Sequence, residues 1–228
     1  ANPNLAVVIV SGNAVAMPWI DRVPAVLEAW FSGSEAGNAL ADVVFGAVNP
    51  SGKLPFTFPV RLEDNGAHAL GEYPGADKVK YNESIFVGYR WHDKEQLKPL
   101  FAFGHGLSYT AFAVGNVKAD RTTLAPNGSI RISADVTNTG DRAGAEVVQL
   151  YIGDEQSSLP RPVKELKGFQ KVSLNPGQTR TVTFEITPGM LQYYDDAKGA
   201  WVAEPGAFTA YVGAASDDIR GTVEFELK

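Results

Sequence analysis

The sequence has 228 residues, of which 44% are hydrophobic and 20% are charged, and its net charge is −6 at pH 7. This length suggests one or two domains, and the apolar fraction is large enough for a core, which argues against a disordered chain. The basic residues are scattered, so the sequence lacks the basic patch of a nucleic-acid-binding protein. No apolar run is long enough to cross a bilayer. The absence of cysteine excludes disulfide and thiolate chemistry but leaves the cellular compartment open.

The first half of the chain alternates predicted strands with a predicted helix. The run LAVVIV, Leu5–Val10, is continuously apolar, which is typical of a strand buried on both faces of a parallel sheet. The run VPAVLEAWF fits either a helix or a second buried strand, and we predict a strand over Val26–Phe31. In SEAGNALADVVFG the apolar residues recur at helical spacing, which predicts a helix with Ser34 as its N-cap and Gly46 at its end.

The segment KLPFTFP, residues 53–59, follows this helix and predicts an edge strand. Proline has no N–H to donate to a central ladder, so it is tolerated mainly at the ends and edges of sheets. Together these elements predict an α/β fragment, namely part of a mainly parallel sheet that is covered by helices.

A different pattern begins near residue 112. The segment SIRISADVTN, Ser129–Asn138, alternates apolar and polar residues, and NTGD after it predicts a hairpin-like turn. Further alternating segments follow, with NPGQ and EPGA as turns: AEVVQLYIG, TRTVTFEI, GAFTAYVGA and GTVEFELK. About seven short strands in about a hundred residues predict an all-β immunoglobulin-like sandwich, and the missing cysteine pair favours its fibronectin type III-like variant.

We therefore divide the chain into an α/β domain over residues 1–79, an interdomain seam over 80–111 and a sandwich domain over 112–228. A flexible linker would be polar and of low complexity. The seam and the start of the sandwich instead carry many aromatic side chains: Phe86, Tyr89, Trp91, Phe101, Phe103, Tyr109 and Phe112. This composition predicts a packed and fairly rigid contact between the domains.

Few side chains suggest chemistry. The histidines His68, His92 and His105 show no metal-binding spacing and have no cysteine to assist them, so we expect ordinary polar or capping roles. The SGS at residues 32–34 lacks the flanking residues of a nucleophile elbow. GHGLSY is a short match to a glycine-rich phosphate loop and fits a turn better. We expect neither a metal ion nor another cofactor.

Carboxylates remain, because glycoside hydrolysis needs a pair of them flanking the scissile bond. Glu35 lies in the loop after a predicted parallel strand, where open sheets place their ligand sites. A position in the first turn of its helix, where a negative charge is favoured, explains Glu35 better. Glu83 is a second candidate, and a salt bridge at the surface or in the seam is its ordinary explanation. No constellation in the sequence is catalytic by itself.

Four long segments resemble the C-terminal region of glycoside hydrolase family 3 enzymes, which include β-glucosidases and β-xylosidases. They are NPNLAVVIVSGNAVAMPWI, AWFSGSEAGNALADVVFGAVNPSGKLPFTFP, FVGYRWHD…PLFAFGHGLSYTAF and VTNTGDRAGAEVVQLYIGDEQSSLPRPVKELKGF. They occur in co-linear order over essentially the whole chain. The resemblance implies an N-terminal (β/α)8 barrel, an α/β sandwich domain and a fibronectin type III-like domain, of which this chain would hold the end of the second and all of the third.

The resemblance also implies which catalytic residues lie elsewhere. In the family the nucleophilic aspartate lies on the barrel, and the acid/base glutamate lies on a loop upstream of the segment that here reads LAVVIVSG. No catalytic residue is therefore expected in this chain, which would supply scaffold and part of the wall of the sugar pocket. The loops after the two strands are the expected wall, with these residues: Ser11, Gly12, Asn13, Ser34 and Glu35.

The resemblance implies the C-terminal portion of a retaining β-glycosidase, and between glucosidase and xylosidase we favour a β-glucosidase. The expected substrate is a β-glucoside or oligosaccharide with a terminal, non-reducing β-D-glucosyl residue. The expected partner is an N-terminal polypeptide that carries the (β/α)8 barrel and the rest of the α/β sandwich. We expect no nucleic acid or membrane partner, and a secreted or periplasmic location although the sequence shows no signal peptide.

The alternative is a stand-alone carbohydrate- or protein-binding module without catalysis. Such a module would need an exposed row of aromatic side chains on the second domain. Tyr193, Tyr194 and Trp201 are too few to indicate such a row.

Overall fold

The structure, a computed structural model, describes residues 2–228. The chain divides into two compact units. The first comprises the residues before Ser51 together with Leu54–Phe103, and the second comprises Ser51–Lys53 together with Gly104–Lys228. The predicted seam of residues 80–111 is thus shared between the two units. The predicted domain boundaries, and the packed contact predicted from the aromatic residues, stay predictions.

The first unit contains a parallel pair of strands, β1 (Ala6–Ile9) and β2 (Ala25–Glu28), with Ile9 paired with Glu28. The predicted first strand is confirmed within a residue at each end. The second strand ends at Glu28, before the predicted end, because the chain turns away at Trp30, whose φ of 51° is incompatible with an extended strand.

The two strands are not buried on both faces within this chain. In the part of the chain that the structure describes, no residue of β1 or β2 is fully buried. Leu5, Val8 and Val10 are exposed although they belong to the apolar run that predicted the first strand. The elements of this unit alone therefore do not bury both faces of the two strands as we expected. An apolar surface of the sheet remains exposed to solvent.

One longer helix, α1 (Ala36–Val44), follows the sheet as predicted, and Gly46 ends it with a φ of 78° that suits glycine. The prediction that Ser34 is the N-cap is wrong: Glu35 holds that position, and its side chain makes no capping hydrogen bond. The unit also contains two short helices, α2 (Gly66–Ala69) and α3 (Tyr89–Glu95). No helix within residues 2–228 has the length and apolarity needed to span a membrane.

The predicted edge strand over KLPFTFP is also wrong. Only an isolated antiparallel bridge forms there, between Phe58 and Phe101. The Phe58 N–H donates to the Phe101 carbonyl oxygen at 2.8 Å, and the Leu100 N–H donates to the Phe58 carbonyl oxygen at 2.9 Å. Pro55 and Pro59 have no N–H with which the ladder could continue on either side. The segment therefore packs as a loop, with Phe58 buried.

The second unit is built from ten strands. They are β3 (Phe112–Ala119), β4 (Thr123–Leu124), β5 (Ile130–Asn138), β6 (Gly144–Asp154), β7 (Glu165–Leu174), β8 (Thr179–Ile186), β9 (Tyr193–Asp195), β10 (Ala200–Val202), β11 (Gly206–Ala215) and β12 (Asp218–Leu227). One sheet has the order β4-β12-β11-β6-β7 and a second has the order β3-β5-β8, while β9 and β10 form a separate ribbon. The predicted all-β sandwich is confirmed.

The core of this unit lies between the two larger sheets. Strand β5 alternates between fully buried and partly or fully exposed residues along its whole length, as its sequence predicts. Apolar side chains from both sheets fill the space between them, among them Ile130, Ile132, Val136, Val148, Leu150, Val182, Phe208 and Val212. This arrangement is that of a β-sandwich.

The turn NTGD does not make the predicted hairpin. Strand β5, which precedes it, pairs with β3 and β8, whereas β6, which follows it, pairs with β7 and β11. NTGD therefore carries the chain from one sheet to the other. The short loop looks like a hairpin connection in the sequence, because local residues do not show which sheet the next strand will join.

Ser51–Lys53 belongs to the second unit, although the residues on both sides of it belong to the first. The Lys53 Nζ lies 2.8 Å from a carboxylate oxygen of Glu146, and both side chains are largely buried. The same Nζ donates a hydrogen bond of 3.2 Å to the Gly106 carbonyl oxygen. Three consecutive residues are thus fixed to the sandwich by an ion pair and a hydrogen bond.

Candidate functional site

The carboxyl ends of β1 and β2 meet at one edge of their sheet, because the strands run parallel and are paired up to their last residues. In open parallel sheets this edge is where ligands bind. The loops that leave it carry all five residues predicted to line a pocket. One loop is Ser11–Asn13, and the other leads from the end of β2 to the start of α1 at Ala36.

The first loop is tied together and to the end of β2 by one hydroxyl group. The Ser11 Oγ donates to the Asn13 carbonyl oxygen at 2.8 Å and lies 3.4 Å from both carboxylate oxygens of Glu28. Gly12 lies directly against Phe31 of the other loop. A Cβ atom at position 12 would stand 2.8 Å from the Phe31 ring, so only glycine fits without displacing that ring. The structure thus brings the two loops into contact.

Ser34 and Glu35 lie in the second loop, just before α1, and both are exposed. The Glu35 carboxylate accepts a hydrogen bond of 2.6 Å from the Asn38 side-chain amide, within its own helix, rather than from Ser11 or Asn13. This agrees with the simple explanation of Glu35 as a residue of the helix N-terminus. A role for any of the five residues as pocket wall stays a prediction.

Two residues at this edge, Glu28 and Trp30, were not predicted from the sequence. Glu28 ends β2, and its carboxylate accepts a hydrogen bond of 3.1 Å from the Trp30 N–H. Trp30 adopts a left-handed backbone conformation, which is uncommon for a bulky residue and costs about 1–3 kcal/mol. Nothing in VLEAWF signals this conformation. Because the predicted strand covered Val26–Phe31, Glu28 lay inside it, and nothing in the sequence marked it as the last residue of β2.

Glu83 is the second carboxylate candidate, and the buried oxygen of its carboxylate does not form the expected salt bridge. Its Oε2 is buried and has no hydrogen-bond partner among residues 2–228. Gly66 separates this side chain from Trp91, since a Cβ on Gly66 would lie 3.2 Å from the Glu83 Cβ and 3.0 Å from the Trp91 ring.

The histidines have separate surroundings. His92 is buried in α3 with its Nδ1 3.0 Å from the Gly88 carbonyl oxygen, and the His68 ring lies 4.8 Å from the Tyr73 ring. His105 lies in the second unit, near Lys53. Within residues 2–228, no group of three or more histidine, aspartate or glutamate side chains is placed to hold a metal ion.

His105 predicts a pH-dependent stability. Burial and the charge of Lys53 lower the pKa of its imidazole, and Asp217 and Asp218 oppose this only in part. Because the folded pKa lies below the unfolded value of about 6.5, the unfolded chain takes up the proton first as the pH falls. The contribution of neutral His105 to stability is therefore complete above pH 6.5 and is lost as the pH falls toward the folded pKa.

We expect the difference in unfolding free energy between the wild type and His105→Gln to be constant above pH 7 and to shift in favour of the variant from pH 6.5 downward. Urea denaturation at half-unit steps from pH 8 to pH 5 measures this difference. His68→Gln, in the first unit, is the control. A difference for His105→Gln that does not change with pH would contradict the prediction.

Two family models match the chain. The model described as glycosyl hydrolase family 3 C-terminal domain matches residues 1–109, and the model described as fibronectin type III-like domain matches residues 146–216. Residues 1–109 are a glycosyl hydrolase family 3 C-terminal domain. The edge formed by Ser11–Asn13 and the loop after β2 therefore lies in the family 3 C-terminal domain and not in the sandwich.

Curated family 3 relatives match nearly the whole chain. It is 54% identical over 228 residues to beta-glucosidase BoGH3A from Bacteroides ovatus, with 99% of this chain and 30% of that protein covered. It is 49% identical over 217 residues to thermostable beta-glucosidase B from Acetivibrio thermocellus, with 95% of this chain and 28% of that protein covered. The chain thus spans about 30% or less of the length of these relatives.

Solved family 3 structures show the same fold. DesR, a beta-glucosidase from Streptomyces venezuelae in complex with D-glucose, superposes with a TM-score of 0.93 at 40% identity, covering 100% of this chain and 29% of that one. The beta-glucosidase from Kluyveromyces marxianus in complex with glucose superposes with a TM-score of 0.91 at 43% identity, covering 100% of this chain and 27% of that one.

Proposed function

We propose that the chain is the C-terminal portion of a retaining β-glucosidase that hydrolyses terminal, non-reducing β-D-glucosyl residues. The observation that carries the proposal is the 54% identity with a beta-glucosidase over 99% of the chain. In a retaining enzyme one carboxylate attacks the anomeric carbon, and a second carboxyl group protonates the leaving oxygen and later activates water. We place both carboxylates outside this chain, which contributes scaffold and part of the pocket wall.

The partner in this proposal is the (β/α)8 barrel together with the rest of the α/β sandwich. The open apolar surface of the first unit supports such a partner. Exposed apolar side chains lie on the sheet and at the end of α1: Leu5, Val8, Val10, Val44, Phe45 and Val48. Surfaces of this kind mark protein contacts or aggregation-prone sites, and a large hydrophobic contact of this type is characteristic of obligate association.

The test compares the longer protein with this chain. The longer protein should hydrolyse 4-nitrophenyl β-D-glucoside faster than the β-D-xyloside, and residues 1–228 alone should hydrolyse neither. Adding the separately produced N-terminal remainder should restore activity. Turnover by the chain alone that is lost in Glu35→Gln would contradict the assignment of the catalytic carboxylates. Absence of β-glucosidase activity in the longer protein would contradict the proposed function.

One observation bears on the competing hypothesis that the chain is a binding module. Tyr194 and Trp201 are exposed cross-strand neighbours on the β9–β10 ribbon, with ring centroids 5.6 Å apart and ring planes at 70°. Two rings in an edge-to-face arrangement do not form the flat row of aromatic side chains that such a module would need. Saturable binding of a β-glucan by residues 1–228 alone, lost in Trp201→Ala, would favour this hypothesis.

A further inference from the structure

Phe31 is exposed at the edge where the loops after β1 and β2 meet. Its side chain is 79% exposed, although phenylalanine is normally among the most buried residues. The residues that follow it in the loop are polar or lack a side chain: Ser32, Gly33, Ser34 and Glu35. The ring is therefore an exposed apolar surface, and the residues that follow it along the chain can form hydrogen bonds.

The Phe31 ring contacts the neighbouring loop on one side. Gly12 of the neighbouring loop leaves room for it, because a Cβ there would stand 2.8 Å from the ring carbon Cε2 and 3.2 Å from Cζ. One part of the Phe31 ring thus rests on the Ser11–Asn13 loop, while most of the ring remains open to solvent.

The turn that presents Phe31 is fixed at the preceding residue. The Trp30 N–H is held by the Glu28 carboxylate at 3.1 Å, and the Trp30 ring lies 5.6 Å from the Phe56 ring and 6.2 Å from the Phe58 ring. A strained backbone conformation persists only where its surroundings determine it, and such strain is concentrated at functional sites. A side chain that is held in place before binding loses less entropy when a ligand arrives.

We propose that Phe31 is a contact surface for a sugar ring of the substrate, presented by the turn that Glu28 and Trp30 fix. This inference rests on the proposed β-glucosidase function and adds a substrate contact to it. A pyranose ring has apolar faces of C–H groups and a polar rim of hydroxyl groups. An aromatic ring within a polar surround complements both, and ligand sites commonly combine apolar walls with a few polar groups.

The surroundings favour a sugar over a covering protein segment. A surface that another part of a protein covers is a continuous apolar patch. Phe45, which is 86% exposed, lies beside the exposed Val44 and three residues before the exposed Val48 along the chain, and we assign it to the contact with the rest of the enzyme. No apolar side chain follows Phe31 in its own loop before Ala36, and Trp30, which precedes it, packs against Phe56 and Phe58.

The experiment uses the longer protein with Phe31→Ala, Phe31→Tyr and the control Phe45→Ala. With cellobiose, we expect Phe31→Ala to raise KM about 10-fold with kcat nearly unchanged, since it removes binding common to the ground and transition states. Phe31→Tyr keeps an aromatic face and should restore KM to within about twofold of the wild type. Phe31→Ala should leave Tm unchanged, and Phe45→Ala should leave KM unchanged.

Three results would overturn the proposal. The first is a Phe31→Ala variant with unchanged KM. The second is a lowered Tm for Phe31→Ala, which would indicate that a protein segment covers the ring. The third is a raised KM that Phe31→Tyr does not restore. Failure of the proposed function is distinguishable, since the wild-type protein would then not hydrolyse cellobiose.

Discussion

Replacing Arg161 by methionine should lower the free energy of unfolding of the sandwich by about 3–5 kcal/mol. The guanidinium lies 3.1 Å from the Asp154 carboxylate and 2.6 Å from the Glu165 carboxylate, and it donates a further bond of 2.9 Å to the Leu191 carbonyl oxygen. The Arg161 side chain is 8% exposed and that of Asp154 is 4% exposed. Methionine fills much of the same space but leaves two largely buried carboxylates without this cation.

Urea denaturation followed by far-UV circular dichroism measures the loss. The control is Arg121→Met, because Arg121 makes an exposed ion pair with Asp120 and surface pairs contribute at most about 1 kcal/mol. Adding Asp154→Leu to Arg161→Met should recover part of the stability, since it removes one uncompensated buried charge. A loss for Arg161→Met no larger than that for Arg121→Met would refute the prediction.

Asn138→Leu should also destabilise the sandwich strongly, by about 3 kcal/mol or more, because it leaves several buried polar groups unpaired. The Asn138 side chain is 0% exposed. Its amide nitrogen donates to the carbonyl oxygens of Arg142 and Leu174 at 2.8 and 3.0 Å. Its oxygen accepts from the Thr110 hydroxyl at 2.8 Å and from the Gly140 N–H at 3.1 Å.

The matched control for Asn138 is its neighbour Thr137, whose hydroxyl lies 2.8 Å from that of Thr179 at the exposed surface of β5 and β8. Thr137→Val should cost less than about 1 kcal/mol. Asn138→Asp keeps the acceptor but loses both donors, so it should be as damaging as Asn138→Leu. Equal melting temperatures for Asn138→Leu and Thr137→Val would show that the network does not stabilise the crossing between the sheets.

Elements that depend only on residues close in the sequence could be predicted from it. The inward face of β5 follows from strict alternation, and the end of α1 follows from Gly46. The crossing at NTGD and the single bridge in KLPFTFP were not, since both depend on which distant strand is available for pairing. Register and sheet membership are set by non-local contacts that a short segment does not encode.

The position of the candidate site could be predicted from the sequence, but its internal contacts could not. The apolar runs before Ser11 and around Val26 predict parallel strands, and parallel strands direct their following loops to one edge. The contact between Gly12 and Phe31, the left-handed Trp30 and the bond from Trp30 to Glu28 depend on how two loops meet. None of these has a signature in VLEAWFSGSE.

The attachment of Ser51–Lys53 to the second unit bears on how chimeras with relatives of this chain can be built. The polypeptide passes between the units three times, after Pro50, after Lys53 and after Phe103. If residues 104–228 of this chain were transplanted into a relative by a single junction, they would arrive without Lys53, and Glu146 would lose its cation. Chimeras should therefore tolerate this sandwich only when the recipient supplies a matching lysine at the position of Lys53.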